Sequence, residues 1–232
     1  MKLKSTRTLI KSFLINPKIK LSYPITSMVN QWESVIIFMH MDKLGESPFE
    51  SFGVRQMDTV LSAIDVYDEP NIEIQNNNII ISTDSDKQEI RTASNELNAL
   101  IKEPKYGALQ NIETNTAVFE QILNVNISKE DLAKKLKTQK LFSLETFKIG
   151  SENGESYISV CNINGDINEN EAKSIIEGTG NGSIIFNVDD ISSLPVLNYN
   201  IKVYKNIQNG SQISVWRIPE IPEVEIIVTE KQ

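Results

Sequence analysis

The sequence has few of the residues on which catalysis, metal binding and disulfide formation depend. One cysteine, Cys161, and one histidine, His40, occur in 232 residues. A single cysteine excludes disulfides within the chain and is typical of a protein in a reducing cytoplasm. Cys161 lies in the alternating run SYISVCNI, and we interpret it as a small buried residue. We interpret His40 as a structural or surface residue rather than as a base or a metal ligand.

Motifs that bind cofactors or organise catalysis are also missing. The sequence contains no glycine-rich phosphate loop between a strand and a helix, no CxxC and no HExxH. Its carboxylate pairs have structural explanations, because Asp189-Asp190 occupy a helix start and Asp84 and Asp86 a hairpin turn. We therefore expect a protein that is not an enzyme and that uses no cofactor.

One acidic stretch has the spacing of a calcium loop. It matches positions 1, 3, 5 and 12 of such a loop with Asp166, Asn168, Asn170 and Glu177. However, Glu171 stands where the loop requires glycine, and a predicted strand precedes the stretch where a helix should stand. A polar connection between strands is the better interpretation, so no metal site is expected.

Long apolar runs are absent as well. None approaches the ~20 residues that a membrane-crossing helix needs. The basic N-terminal segment is interrupted by Pro17, Lys18 and Lys20 before the apolar region of a signal peptide. We expect a cytoplasmic protein that does not bind membranes.

What the sequence has instead is an uneven distribution of charge. The net charge is −8, yet residues 1–20 and 127–140 together hold eleven basic and two acidic residues. The other 198 residues hold 12 basic and 29 acidic residues, a net charge of −17. An acidic body with two cationic segments predicts that a polyanion binds at those segments.

The second cationic segment, ISKEDLAKKLKTQKLF at residues 127–142, has helical periodicity. Ser128 is a candidate N-cap, with Asp131 three residues later. Leu132 and Leu136 lie on an apolar face. The opposite face is cationic, with Lys134, Lys137 and, beside them, Lys135. The alternative is a solvated surface helix, which is what most lysine-rich helix faces are.

The first cationic segment has the same character. Residues 1–15 are predicted to form a helix that ends at Asn16-Pro17. Its cationic face carries Lys4, Arg7 and Lys11, and its apolar face lies opposite.

The two halves of the chain repeat one order of elements. Each basic helix is followed by strands, a short apolar helix (55–67 or 189–194) and a three-strand meander. Residues 173–180 and 182–188 are predicted to form a hairpin, and Trp32 and Trp216 are predicted to be packing residues. The predicted organisation is a first domain at 1–94, a surface linker at 95–111 and a second domain at 112–232.

With these features the sequence resembles the DNA sliding clamps, and within them the clamps of large tailed bacteriophages. The resemblance covers nearly the whole chain. The fold that it implies is similar to the clamp fold of proliferating cell nuclear antigen. It implies an α+β protein with a duplicated clamp fold, each domain having an antiparallel sheet outside and two helices inside. The stretches that carry it are MKLKSTRTLIKSF, FGVRQMDTVLSAIDVYDEPNIEI and SIIFNVDDISSLPVLNYNIKVYK.

The resemblance also implies an assembly and partners. A homotrimeric ring of head-to-tail subunits would encircle duplex DNA without reading its sequence, be loaded by an ATP-driven clamp loader and tether a replicative DNA polymerase. Subunits would meet through strands near 88–93 and 173–178. The short helices at 55–67 and 189–194 carry little positive charge apart from Arg55, so whether they contact DNA stays open. The residues expected to face DNA are Lys4, Arg7, Lys11, Lys129, Lys134, Lys135, Lys137 and Lys140.

Two alternatives remain open at this point. One is a monomeric DNA-binding processivity factor of the same fold, and the other is a β-rich structural protein of a virion. If phage-encoded, the clamp would act in the cytoplasm of the host cell.

Overall fold

The computed structural model of the chain describes residues 4–16, 18–67, 70–75, 78–91, 101–162 and 171–231. They belong to two compact units, Met1–Tyr106 and Gly107–Gln232. Both units are α+β, and their strands pair antiparallel.

The described residues of unit 1 form two helices and two sheets. Its strands have the order β4–β1–β2–β3 in one sheet and β5–β6–β7 in the other. The helices α1 and α2 contact each other, and Ile10, Phe13 and Met57 are fully buried. The elements are α1 Lys4–Ser12, β1 Ile19–Leu21, β2 Ile25–Val29, β3 Val35–His40, β4 Phe52–Val54, α2 Met57–Asp65, β5 Asn71–Gln75, β6 Asn78–Ser82 and β7 Lys87–Arg91.

In unit 2 the described residues form three helices and eight strands, in the order β12–β9–β10–β11–β8–β13–β14–β15. Trp216 is fully buried, with its ring edge-on to Phe186 and Tyr199. The elements are α3 Gly107–Thr114, β8 Phe119–Ile127, α4 Lys129–Phe142, β9 Thr146–Glu152, β10 Glu155–Cys161, β11 Ala172–Gly180, β12 Gly182–Asn187, α5 Val188–Ser192, β13 Tyr199–Asn206, β14 Gln212–Arg217 and β15 Val224–Thr229.

The two units share a non-sequential strand order. In unit 1, β4 returns to pair with β1, and β2 and β3 follow on the other side. In unit 2, β12 returns to β9 in the same way, and β10 and β11 follow. The meander β5–β6–β7 corresponds to β13–β14–β15. This recurrence confirms the duplication that the order of sequence elements predicts.

The helices α4 and α5 of unit 2 pack on its strands, and an N-cap that the sequence predicts begins α4. The Asp131 backbone N–H donates to Ser128 Oγ at 3.1 Å, so the predicted N-cap is confirmed. Helix α4 contacts β10 and β11, and α5 contacts β9 and β12. The apolar residues on this side, such as Phe147 and Ile158, are fully buried.

The predicted hairpin of residues 173–180 and 182–188 is wrong. Strand β11 pairs with β10 as far as Ile176 and with β8 from Glu177 onward, while β12 pairs with β9. Where the end of β11 pairs with β8, Gly180 has φ +117°, and a Cβ there would lie 2.1 Å from the Ile122 carbonyl oxygen. The glycines therefore permit close passage over β8 rather than a two-residue turn.

Two further expectations need correction. Residues 107–111 of the predicted surface linker begin helix α3, because Leu109 and Ile112 supply a buried face. Trp216 packs as predicted, but Trp32 is 76% exposed at the turn between β2 and β3.

His40 is buried with its ring edge-on to Tyr106, and Cys161 is buried. Three residues of the considered calcium loop, 166, 168 and 170, lie outside the described residues.

Candidate nucleic-acid interface

Helix α4 presents an exposed cationic surface. Lys134, Lys137 and Lys140 follow one another at three-residue spacing and are exposed. In the part of the chain that the structure describes, none of the three has a carboxylate within ion-pair distance. Lys129 is also exposed, and its Nζ lies 3.8 Å from the carboxylate of the neighbouring Glu130. The helix thus holds uncompensated positive charge toward its C-terminal end, where the helix dipole favours it.

Lys135 does not share this surface. It is 3% exposed, and its Nζ donates to the Ala172 carbonyl oxygen of β11 at 2.8 Å. Each residue advances a helix by about 100°, which places position 135 in the buried stripe with Leu132 and Leu136. Burial, followed by the nearby Lys134, lowers the Lys135 pKa from its ordinary value. The expectation that Lys135 faces DNA is therefore corrected.

Helix α1 presents its cations differently. Arg7 Nε lies 3.2 Å from Asp65 Oδ1, and Lys11 Nζ donates to Asp65 Oδ2 at 2.9 Å. Asp65 is the last residue of α2, so this cluster joins α1 to α2. The hydrogen bond from Lys11 is the main cause that lowers the Asp65 pKa. The side chain of Lys4 lies outside the described residues.

Sequence reasoning missed Asp65 as part of this surface. Asp65 ends an apolar helix and has no basic neighbour in the sequence, and its partner Lys11 is 54 positions away. The available signal was weak. An acidic residue ending α2 could lie beside α1 only if the two helices pack together, and no local pattern predicts that.

Arg55 lies away from this cluster. With Lys18 it lines a cavity of about 390 Å³ beside the start of α2, whose apolar walls include Val54, Val60 and Ile90. Within the described residues, no ion pair engages either cation. Arg55 therefore adds positive charge near strand β7 rather than to the α1 face.

A second group of cations lies on the face of the unit 2 sheet opposite to α4. Lys173 Nζ lies 3.8 Å from the centroid of the Tyr157 ring, and Lys148 Nζ lies 5.6 Å from it. Both contacts fall within the range of cation–π attraction. Sequence reasoning missed this group because its members come from three strands. Positive charge is therefore not confined to the helices.

Metal-ligand clusters and membrane-spanning helices are absent from the described residues. No group of three or more His, Cys, Asp or Glu side chains among them is placed to hold a metal ion. No described helix has both the length and the apolar character needed to cross a membrane.

Comparison with known proteins adds the fold. No protein-family model matches the sequence, and no curated protein does. Among solved structures, the proliferating cellular nuclear antigen of Entamoeba histolytica matches with a TM-score of 0.61 and 12% identity, over 98% of this chain and 95% of that one. The beta sliding clamp of Caulobacter crescentus matches with a TM-score of 0.64 and 12% identity, over 100% of this chain and 64% of that one. The chain has the sliding-clamp fold.

These proteins share the fold with this chain at 12% sequence identity. The DNA polymerase III subunit beta of Pseudomonas aeruginosa also matches, with a TM-score of 0.64 and 12% identity over 100% of this chain and 65% of that one. The chain therefore spans just under two thirds of the bacterial proteins but nearly all of the Entamoeba protein. Its duplicated units, each with helices and an antiparallel sheet, are the fold class that the sequence predicts.

Proposed function

We propose that the protein is a DNA sliding clamp, a non-enzymatic processivity factor that encircles duplex DNA and tethers a replicative DNA polymerase. One observation carries the proposal. In a chain of net charge −8, helix α4 exposes lysines that no described carboxylate neutralises, on a fold shared with sliding clamps. Clamp neighbours support the role by their fold, and the charge of this chain supports it independently.

The physical requirement of a clamp explains the charge distribution. Duplex DNA carries one negative charge per ~1.7 Å of its axis. Lysines on helices attract phosphates without reading bases, which permits movement along the duplex. An acidic exterior repels other DNA. The residues proposed to contact DNA are Lys4, Arg7, Lys11, Lys129, Lys134, Lys137 and Lys140.

The proposed ring is a homotrimer that closes through strand edges. Among the described residues of unit 1, β7 is an edge strand that pairs with β6 alone. In the described part of unit 2, residues 172–176 of β11 pair only with β10, and Ile175 is 59% exposed there. Unpaired strand edges favour strand addition by another chain. A head-to-tail contact between β7 of one subunit and β11 of the next would cover both edges.

Loading and origin complete the proposal. A closed ring cannot thread onto circular DNA, so an ATP-driven clamp loader would open it. The stretches that resemble tailed-bacteriophage clamps support a phage-type protein that acts in the cytoplasm of the host cell.

Light scattering across a dilution series tests the ring. A particle near three times the 26.2 kDa of one chain is expected. A monomer at every concentration would leave the monomeric processivity factor as the better proposal. Retention on circular DNA with loss from linearised DNA, in the presence of a clamp loader, tests encirclement. Equal loss from both forms would contradict it.

A further inference from the structure

Two cations of α1 share one carboxylate of α2. Arg7 Nε lies 3.2 Å from one oxygen of Asp65, and Lys11 Nζ lies 2.9 Å from the other. A DNA phosphate would offer the same two cations a pair of anionic oxygens in much the same way. Asp65 therefore occupies the two cations that a backbone phosphate would otherwise contact.

We infer that Asp65 is an internal competitor for DNA phosphate, which occupies Arg7 and Lys11 and weakens their attraction for the duplex. This inference rests on the proposed function, because the competition matters only if α1 faces DNA. It assigns to an acidic residue a role at a surface that is otherwise identified by its cations.

Exposure makes the exchange feasible. The side chains of Arg7, Lys11 and Asp65 are 25%, 61% and 36% exposed. Ion pairs between groups this accessible to water contribute little to stability, so they can be opened at small cost. An approaching phosphate can then take over one or both cations while Asp65 is released to water.

The charge of the cluster sets the size of the effect. With Asp65 ionised, the three groups carry a net +1 in place of the +2 of the two cations alone. Removing one negative charge from the protein surface increases its attraction for phosphate, and the effect falls as salt screens it. Asp65 thus keeps the α1 contact weak, which favours sliding over arrest at one position.

The test compares two substitutions on the same helix. Asp65→Asn removes the carboxylate that pairs with α1, whereas Asp58→Asn makes the same change of net charge at an exposed residue with no described ion pair. Each full-length variant is titrated with a fluorescent duplex of about 30 base pairs over a range of salt concentrations. Asp65→Glu, which retains the charge, provides a third comparison.

Asp65→Asn is expected to bind about three- to tenfold more tightly at low salt, with a log–log salt slope steeper by about 0.9 for each additional phosphate that the freed cations neutralise. Asp58→Asn should change affinity less than twofold, and Asp65→Glu should resemble the wild type. Equal affinities of the two Asn variants would overturn the inference. The proposed function would still stand in that case if replacing Lys134, Lys137 and Lys140 weakens binding. A wild type that does not bind the duplex at any salt concentration would overturn the inference, and equal loss from circular and linear DNA, with a clamp loader present, would overturn the proposed function as well.

Discussion

The two basic helices, α1 in unit 1 and α4 in unit 2, carry similar charge but compensate it differently. Arg7 and Lys11 on α1 converge on Asp65. On α4, Lys134, Lys137 and Lys140 are exposed and meet no carboxylate in the described residues. The two units therefore share a strand order and an order of elements along the chain, while the electrostatics of their basic helices differs.

This difference separates two ways of attracting a polyanion. Uncompensated lysines act on DNA at all times, and their effect is additive over the phosphates they neutralise. Compensated cations act only when phosphate competes successfully with the carboxylate. Under the proposed function, most of the affinity for DNA comes from unit 2, and unit 1 contributes mainly when the duplex is close.

The largest expected effect comes from removing the uncompensated charge. Replacing Lys134, Lys137 and Lys140 together by Gln should weaken duplex binding roughly 10- to 100-fold at low salt and reduce the salt slope by about 2.7. Anisotropy titrations at several salt concentrations measure both quantities. The matched control replaces Lys43, Lys202 and Lys205, which lie outside helices, by Gln. Equal losses in the two triple variants would mean that only net charge matters.

Much of the fold was accessible from local patterns. Ser128 followed by Asp131 predicts the start of α4, and the observed N-cap confirms it. The alternation of apolar residues, interrupted by turns such as Asn153-Gly154 with positive φ, predicts the strands β9 and β10. These signals succeed because their causes lie within a few residues of each other in the chain.

Other features depend on contacts that local patterns do not contain. Strand β11 changes partner from β10 to β8 at Glu177, which a glycine-bounded segment does not reveal. Lys135 is charged in sequence, yet its long apolar stem passes through the buried stripe to a carbonyl of β11. The residues proposed to contact DNA could therefore be predicted as the cationic face of a helix. Neither the burial of Lys135 nor the role of Asp65 could be predicted.

The Asp65 ion pairs of unit 1 are more accessible to water than a cluster around Arg217 in unit 2. Arg217 donates to both oxygens of Glu113 on α3, at 2.7 and 2.6 Å. It also donates to Glu225 on β15, at 2.9 and 2.7 Å. Bidentate pairs of this kind are stronger than single contacts. The cluster fastens α3 to the strands β14 and β15.

Arg217→Met should therefore destabilise unit 2 by about 2 kcal/mol. Asp65→Asn, which breaks only exposed pairs, should cost at most about 1 kcal/mol. Urea unfolding of the wild type and both variants measures the difference, with matching m-values as the check on two-state behaviour. A loss of stability at Asp65 equal to that at Arg217 would contradict this ranking.

The smallest effect on DNA affinity is expected at Lys135. This lysine is buried, so its charge counts in the sequence but does not lie at the surface. Lys135→Met keeps the length of the side chain but removes a buried ammonium, so duplex affinity should change less than twofold. Lys134→Met removes an exposed ammonium one position earlier and should weaken binding about two- to fivefold. Equal effects in the two variants would mean that Lys135 leaves its buried site when DNA binds.

The pH dependence of stability gives an independent check on the same residue. Burial, followed by Lys134, lowers the Lys135 pKa below its ordinary value of 10.5. For a base whose folded pKa is depressed, the cost of burying its charge is fully present at neutral pH. That cost declines as the pH rises through the folded pKa toward 10.5, because the unfolded chain then binds more protons than the folded one. The wild type should therefore gain stability relative to Lys135→Met as the pH rises through this window in urea unfolding. A constant difference between the two proteins across it would show that the ammonium of Lys135 is solvated, and Lys135 would then rejoin the cationic face of α4.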